Sequence, residues 1–144
     1  MLKLSKLADY AVVIIGALDT HENESVSASL LAQETRLPEP TVAKVLKLLS
    51  AAHIVTSIRG VKGGYQLARG VDKISIKDVI TALDGPIALT ACVEDTGDGC
   101  EFAPTCAMHG RWNRVNLAIK NALEAVTIHD MTQVQPQTDI KKRV

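Results

Sequence analysis

The stretch RLPEPTVAKVLKLLSAAHIVTSIRGVKGGYQLAR, Arg36 to Arg69, decides the fold. Its opening Leu37-Pro38-Glu39-Pro40 sets two prolines one residue apart. Neither fits a helix interior, because proline lacks the N–H donor and its ring meets the preceding turn, but one suits a first turn. A helix is therefore predicted from about Pro40 to Ala52, with Val42, Val45, Leu46 and Leu49 on its inner face. Pro40, Thr41, Lys44 and Lys47 are left on the outer face. His53 to Ile58 is short and β-branched, Arg59-Gly60-Val61-Lys62-Gly63-Gly64 is a glycine-rich turn, and Tyr65-Gln66-Leu67 reads as a return strand. Just upstream, Leu30, Leu31 and Glu34 trace a short helix that Ser27 can cap, its hydroxyl accepting an orphan backbone N–H. Two short helices about a tight turn, followed at once by a hairpin with Arg59 and Lys62 at its tip, make a winged helix-turn-helix.

Outward from this block the pattern stays helical. Leu7, Tyr10, Ala11, Ile14 and Leu18 predict an amphipathic helix over about Ser5–Asp19. Ser75 with Asp78 resembles a capping box opening a helix through Leu83, with Ile76, Val79 and Ile80 buried and Gly85-Pro86 as the stop. Trp112, Val115, Ile119, Ala122, Leu123 and Val126 trace one apolar stripe, and a helix of roughly 20 residues would be about 30 Å long. Such a stripe is expected to pack on a second copy of itself, although folding back on its own domain would also bury it. The fold class is thus mainly α with a small β-hairpin wing: a winged helix-turn-helix plus a long C-terminal dimerisation helix. The expected divisions are residues 1–84 for DNA binding, a cysteine-bearing loop over 85–110, the dimerisation helix over 111–130 and a mobile tail over 131–144.

Net charge is zero, yet the charge is segregated. Gln33 to Gly70 holds Arg36, Lys44, Lys47, Arg59, Lys62 and Arg69 against Glu34 and Glu39, whereas Gly85 to Gly110 holds four acids and no Lys or Arg. One part is suited to gripping phosphate and another to a different task. Few aromatics leave no stacking platform for single strands. The longest apolar run, Ala11 to Leu18, is far short of the roughly 20 residues a membrane span needs, and no signal peptide is read, so a cytoplasmic location and no membrane partner are expected. No paired carboxylates, nucleophile with base, or phosphate cradle emerges, so the chain is not read as an enzyme.

All three cysteines lie close together: Cys92, seven residues, Cys100, five residues, Cys106, then His109 after two more. An odd number of cysteines is no disulfide framework. The surrounding glycines, proline and acids cannot build a core, and a thiolate-bound metal would order them. Thiolates suit an iron–sulfur cluster, a zinc site completed by His109, or a redox pair with one thiol left over; a loop with incidental cysteines is the plain alternative.

The opening LSKLADYAVVIIGAL, the Arg36–Arg69 block and the three-cysteine loop resemble the IscR/NsrR-type family of winged-helix iron–sulfur regulators, and within it the regulators of the SUF assembly system. The resemblance implies a homodimer with crossed long helices, a cluster in each subunit, and repression of iron–sulfur assembly or stress genes from a double-stranded DNA operator. By position, Cys92, Cys100 and Cys106 match the family's cluster thiolates. His109 matches the fourth ligand of the [2Fe-2S] branch, and Asp9 the carboxylate that reaches across the dimer in the [4Fe-4S] branch. A [2Fe-2S] centre is favoured over [4Fe-4S], with both fourth ligands open. Two departures stand out: the first gap is seven residues where five is common, and Ala43 replaces a recognition-helix glutamate. The expected reading heads are Pro40, Thr41, Lys44 and Lys47 in the major groove, with Arg59 and Lys62 anchoring the wing. The alternative is a cytosolic zinc- or cluster-bearing protein acting through protein contacts.

Overall fold

The computed structural model describes residues 3–22, 24–93, 101–102 and 104–133. The Ser5 hydroxyl accepts from the Ala8 amide at 3.1 Å and starts α1 (Lys6–Asp19). Ser27 does the same for α2 (Ala28–Thr35), accepting from Leu30. Pro38 occupies the N-cap of α3 (Glu39–Ala51) and Pro40 falls in the first turn, where its missing N–H leaves no bond unmade. Between α2 and α3 the chain turns through Arg36, whose φ of 57° is left-handed. The inner face of α3 is as the spacing predicts: Val42, Val45, Leu46 and Leu49 are all fully buried.

The strand expected to begin at His53 begins two residues later. His53 has a φ of 55°; its N–H donates to the Ser50 carbonyl at 3.1 Å and that of Ile54 to the Leu49 carbonyl at 3.0 Å. These two bonds form a Schellman motif with His53 in the position that usually belongs to glycine, and Ile54 is buried beneath it. A β-carbon in left-handed backbone is strained, so His53→Gly should stabilise the protein by about 0.5–1 kcal/mol after its extra unfolded-state entropy is counted. A denaturant midpoint that falls on this substitution would contradict the motif. β1 (Val55–Ile58) and β2 (Gly64–Leu67) then pair antiparallel, Val55 opposite Leu67 and Ile58 opposite Gly64.

After a single 3₁₀ turn at Val71–Lys73, α4 (Ile76–Asp84) opens with the expected capping box. Ser75 Oγ accepts from the Asp78 amide and the Asp78 carboxylate accepts from the Ser75 amide, both at 3.1 Å. Ile14 and Ile15 of α1, the α3 face, Val79 and Ile80 of α4, and Leu31, Ile54 and Ile74 share one core. The fold class is the expected one: mainly helical, with a two-stranded wing after the helix-turn-helix.

The C-terminal helix departs from expectation. Instead of one helix over 111–130 there are two, α5 (Trp112–Glu124) and α6 (Ile128–Thr132). The run Val126-Thr127-Ile128 is β-branched, which weakens a helix, and Thr127 starts a second one by exchanging caps with Asp130. Thr127 lies in an isolated bridge with Ser75; the Ile76 amide donates to the Val126 carbonyl and the Ile128 amide to the Ile74 carbonyl, both at 2.9 Å. Ile128 thereby enters the core with no exposed surface. Met131 and Thr132, expected in a mobile tail, close α6 with Gln133 as its C-cap; residues 134–144 of that tail lie outside the described residues.

Candidate nucleic-acid interface and cysteine segment

With the inner face of α3 committed to the core, Pro40, Lys44 and Lys47 recur at helical spacing on its exposed side and Thr41 is half-buried beside them. Arg59 and Lys62 are exposed in the turn between β1 and β2. Among the described residues, Lys44, Lys47, Arg59 and Lys62 have no acidic partner; the ion pairs are His21–Glu34, Arg69–Asp78 and Lys77–Glu124. Unpaired cations on two neighbouring elements suit a polyanion. Arg69, counted with them in the sequence, is structural instead: its guanidinium donates to the carbonyls of Lys73 and His53 and to Asp78, tying the end of β2 to the cap of α4.

The wing is braced from a direction the sequence reading missed. Val26 bridges Tyr65 with two backbone bonds of 2.8 Å, so the chain before α2 lies against β2 as a third extended segment. Ser25 Oγ also donates to the Lys62 carbonyl near the tip. Gly64 is required by this contact: a β-carbon there would stand 2.6 Å from the Val26 carbonyl oxygen. In the sequence, Val26 was only an isolated apolar residue within a polar stretch.

The described part of the expected 85–110 loop holds Cys92, Cys106 and His109; Cys100 lies outside it. Cys92 and Cys106 are free thiols, the first part-buried and the second exposed. Cys92 Sγ lies 3.1 Å from Thr90 Oγ1. The His109 amide donates to the Cys106 carbonyl at 3.1 Å, which sets thiol and imidazole three residues apart on one turn. Among the described residues no three His, Cys, Asp or Glu side chains converge as a metal site, so Cys92 is not brought to Cys106 and His109 here. The donors themselves, soft thiols with an imidazole, fit a thiolate-held centre and not a magnesium or calcium site.

Sequence reasoning also missed Asn116, the one buried residue of α5 among the described residues. Its Oδ1 accepts from the Leu89 amide at 3.1 Å and its Nδ2 donates to the Ile87 carbonyl at 3.0 Å. The only available signal was a polar residue at a spacing shared with Trp112, Ile119 and Leu123. Trp112, Val115 and Val126 are meanwhile 41%, 45% and 38% exposed, so much of the apolar stripe finds no cover among the described residues. No helix is long and apolar enough to cross a membrane among the described residues.

The fold and this interface can be set beside known proteins. A family model described as an iron-dependent transcriptional regulator, Rrf2, matches residues 4–134. The transcriptional regulator CymR of Bacillus subtilis is 30% identical over 131 residues, 90% of this chain and 89% of its own. The solved structure of that protein, described as a global cysteine regulator, superposes with a TM-score of 0.69 at 31% identity, covering 94% of this chain and 99% of the other. IscR from T. potens superposes with a TM-score of 0.64 at 28% identity, covering 90% and 85%. These relatives are regulators and not enzymes. A chain that matches the family's model over nearly its full length and folds as its members do belongs to the Rrf2 family, as a DNA-binding transcriptional regulator.

Proposed function

We propose that this protein is a homodimeric repressor whose hold on double-stranded DNA depends on an iron–sulfur cluster. Pro40, Thr41, Lys44 and Lys47 face the major groove, and Arg59 and Lys62 hold the wing to the backbone. The observation that carries the DNA contact is the set of unpaired cations on the outer side of α3 and at the wing tip, backed by a face wholly used in the core. Lysines supply phosphate affinity; Thr41 and a lysine at a guanine edge supply choice of sequence.

Cys92, Cys100 and Cys106 would hold the cluster, a [2Fe-2S] centre before a [4Fe-4S] one, with His109 or the partner subunit's Asp9 as fourth ligand. Two free thiols on the described segment and the family's description as iron-dependent support this. When bound, the group supplies a redox-active, chemically fragile centre that ties together distant parts of the loop. The second copy is supported by the exposed Trp112, Val115 and Leu117 and by an apolar groove of about 320 Å³ lined by Leu4, Val12, Ile76, Val79, Ile80 and Met131. Two heads held at a fixed spacing would read two half-sites, and freeing the loop would change that spacing.

Protein purified without oxygen should be brown, carry iron and sulfide, and give the Mössbauer signature of a cluster. Its affinity for its own promoter region should differ from that of stripped protein by about 10-fold, roughly 1.4 kcal/mol. A colourless protein with one zinc per chain would overturn the cluster. Equal binding by loaded and stripped protein at every salt concentration would overturn the switch.

A further inference from the structure

We propose that Asn116 is a positioning residue that couples the cysteine segment to α5, so that the state of Cys92 reaches the helix through its side-chain amide. The proposal rests on the reading of Cys92 as a cluster ligand. A helix of this composition would be expected to bury Trp112, Val115 or Leu117, yet among the described residues the buried position goes to Asn116, 2% exposed. Burying an amide is unfavourable unless its donor and acceptor are both used. Here both are. Oδ1 takes the Leu89 N–H and Nδ2 gives to the Ile87 carbonyl, so the side chain meets the backbone of 87–89 as a neighbouring strand would.

That grip falls three residues before Cys92. Thr90 Oγ1 lies beside the Cys92 sulfur, and the Thr90 carbonyl accepts from the Val93 amide at 3.2 Å, closing a turn around Cys92. Val93 is buried just after Cys92. The segment from Ile87 to Val93 is therefore a short, internally bonded unit fastened to α5. On its far side α5 is joined to α4 by the Lys77–Glu124 pair and by Leu123 packed on the core. A pull on Cys92 has a polar fastening to α5 through Asn116, and from α5 a path to the reading domain.

The test compares the wild type with Asn116→Leu, which keeps the branched shape and removes both bonds, and with Asn121→Leu, an exposed amide on the same helix, as control. Each protein is studied stripped and after anaerobic reconstitution with iron and sulfide. Amide hydrogen exchange and loss of visible absorbance to a chelator are followed. In the wild type, loading should slow exchange over residues 112–124. In Asn116→Leu the Leu89 amide should exchange at least about 10-fold faster, α5 should no longer respond to loading, and chelator should strip the centre about 10-fold faster, the size typical of a lost outer-shell contact. Asn121→Leu should match the wild type. Should Asn116→Leu fail to fold, Asn116→Asp, which keeps the Leu89 bond and sets an acceptor against the Ile87 carbonyl, is read in its place. A folded, loaded variant whose α5 responds as the wild type does would overturn the coupling while leaving the cluster intact. A wild type that takes up no iron and sulfide would overturn the underlying reading instead.

Discussion

Replacing Lys44 and Lys47 together by glutamate should weaken operator binding by at least about 100-fold at low salt, since phosphate contacts dominate affinity and the reversal turns attraction into repulsion. Both side chains are exposed on the outer side of α3 and neither is needed by the fold, whose contacts from this helix come from Val42, Val45, Leu46 and Leu49. Thermal stability should therefore be unchanged while binding collapses. The salt dependence is the sharper readout: each lost phosphate contact lowers the slope of log affinity against log salt by about 0.9. Arg59→Ala at the wing should take about one such step. Arg69→Ala should leave the slope alone and cost stability instead, because that guanidinium is spent on His53, Lys73 and Asp78. Binding by the double variant within threefold of wild type would remove α3 from the interface.

Ile128→Ala should destabilise the protein by about 2–4 kcal/mol, the range for emptying a buried branched side chain. Ile128 has no exposed surface and lies in the same core as Ile14 and Leu46, although it sits on the last short helix. His129→Ala, the next residue on α6 and exposed, should change stability by less than about 0.5 kcal/mol. Urea titration of both variants separates a core residue from a fraying end: equal, small effects would mean that α6 is not part of the cooperative unit. The Thr127 cap gives the same junction a pH signature. The backbone amide of Thr127, and then its hydroxyl, hold the Asp130 carboxyl below its ordinary value. Its contribution is present above the unfolded carboxylate value and fades as the pH falls through the lowered one.

Local chemistry carried much of the fold into the sequence. Ser27 and the Ser75–Asp78 pair announce their helices because a capping hydroxyl or carboxylate acts within three residues of itself. The α3 face and the hairpin are legible for the same reason, as periodicity and turn glycines are properties of a short window. Where a left-handed turn was made by His53 and Arg36 instead of glycine, no such mark existed, and the strand boundary moved. The candidate interface was legible as residue types on the outer face of α3 and in the turn. That Arg69 belongs to the scaffold and not to the cationic surface depends on partners up to sixteen residues away.

The sequence by itself determined the winged helix-turn-helix, its cationic outer face and the closeness of the three cysteines along the chain, because each is written in neighbouring residues. Only the tertiary structure decided that the last apolar stripe breaks at Thr127 and sends Ile128 home, that Val26 braces the wing, and that Asn116 fastens the stretch before Cys92. Those outcomes turn on which distant backbone N–H and C=O groups meet once the core has closed. An isolated polar or apolar residue in a linear pattern carries no record of the partner it will find.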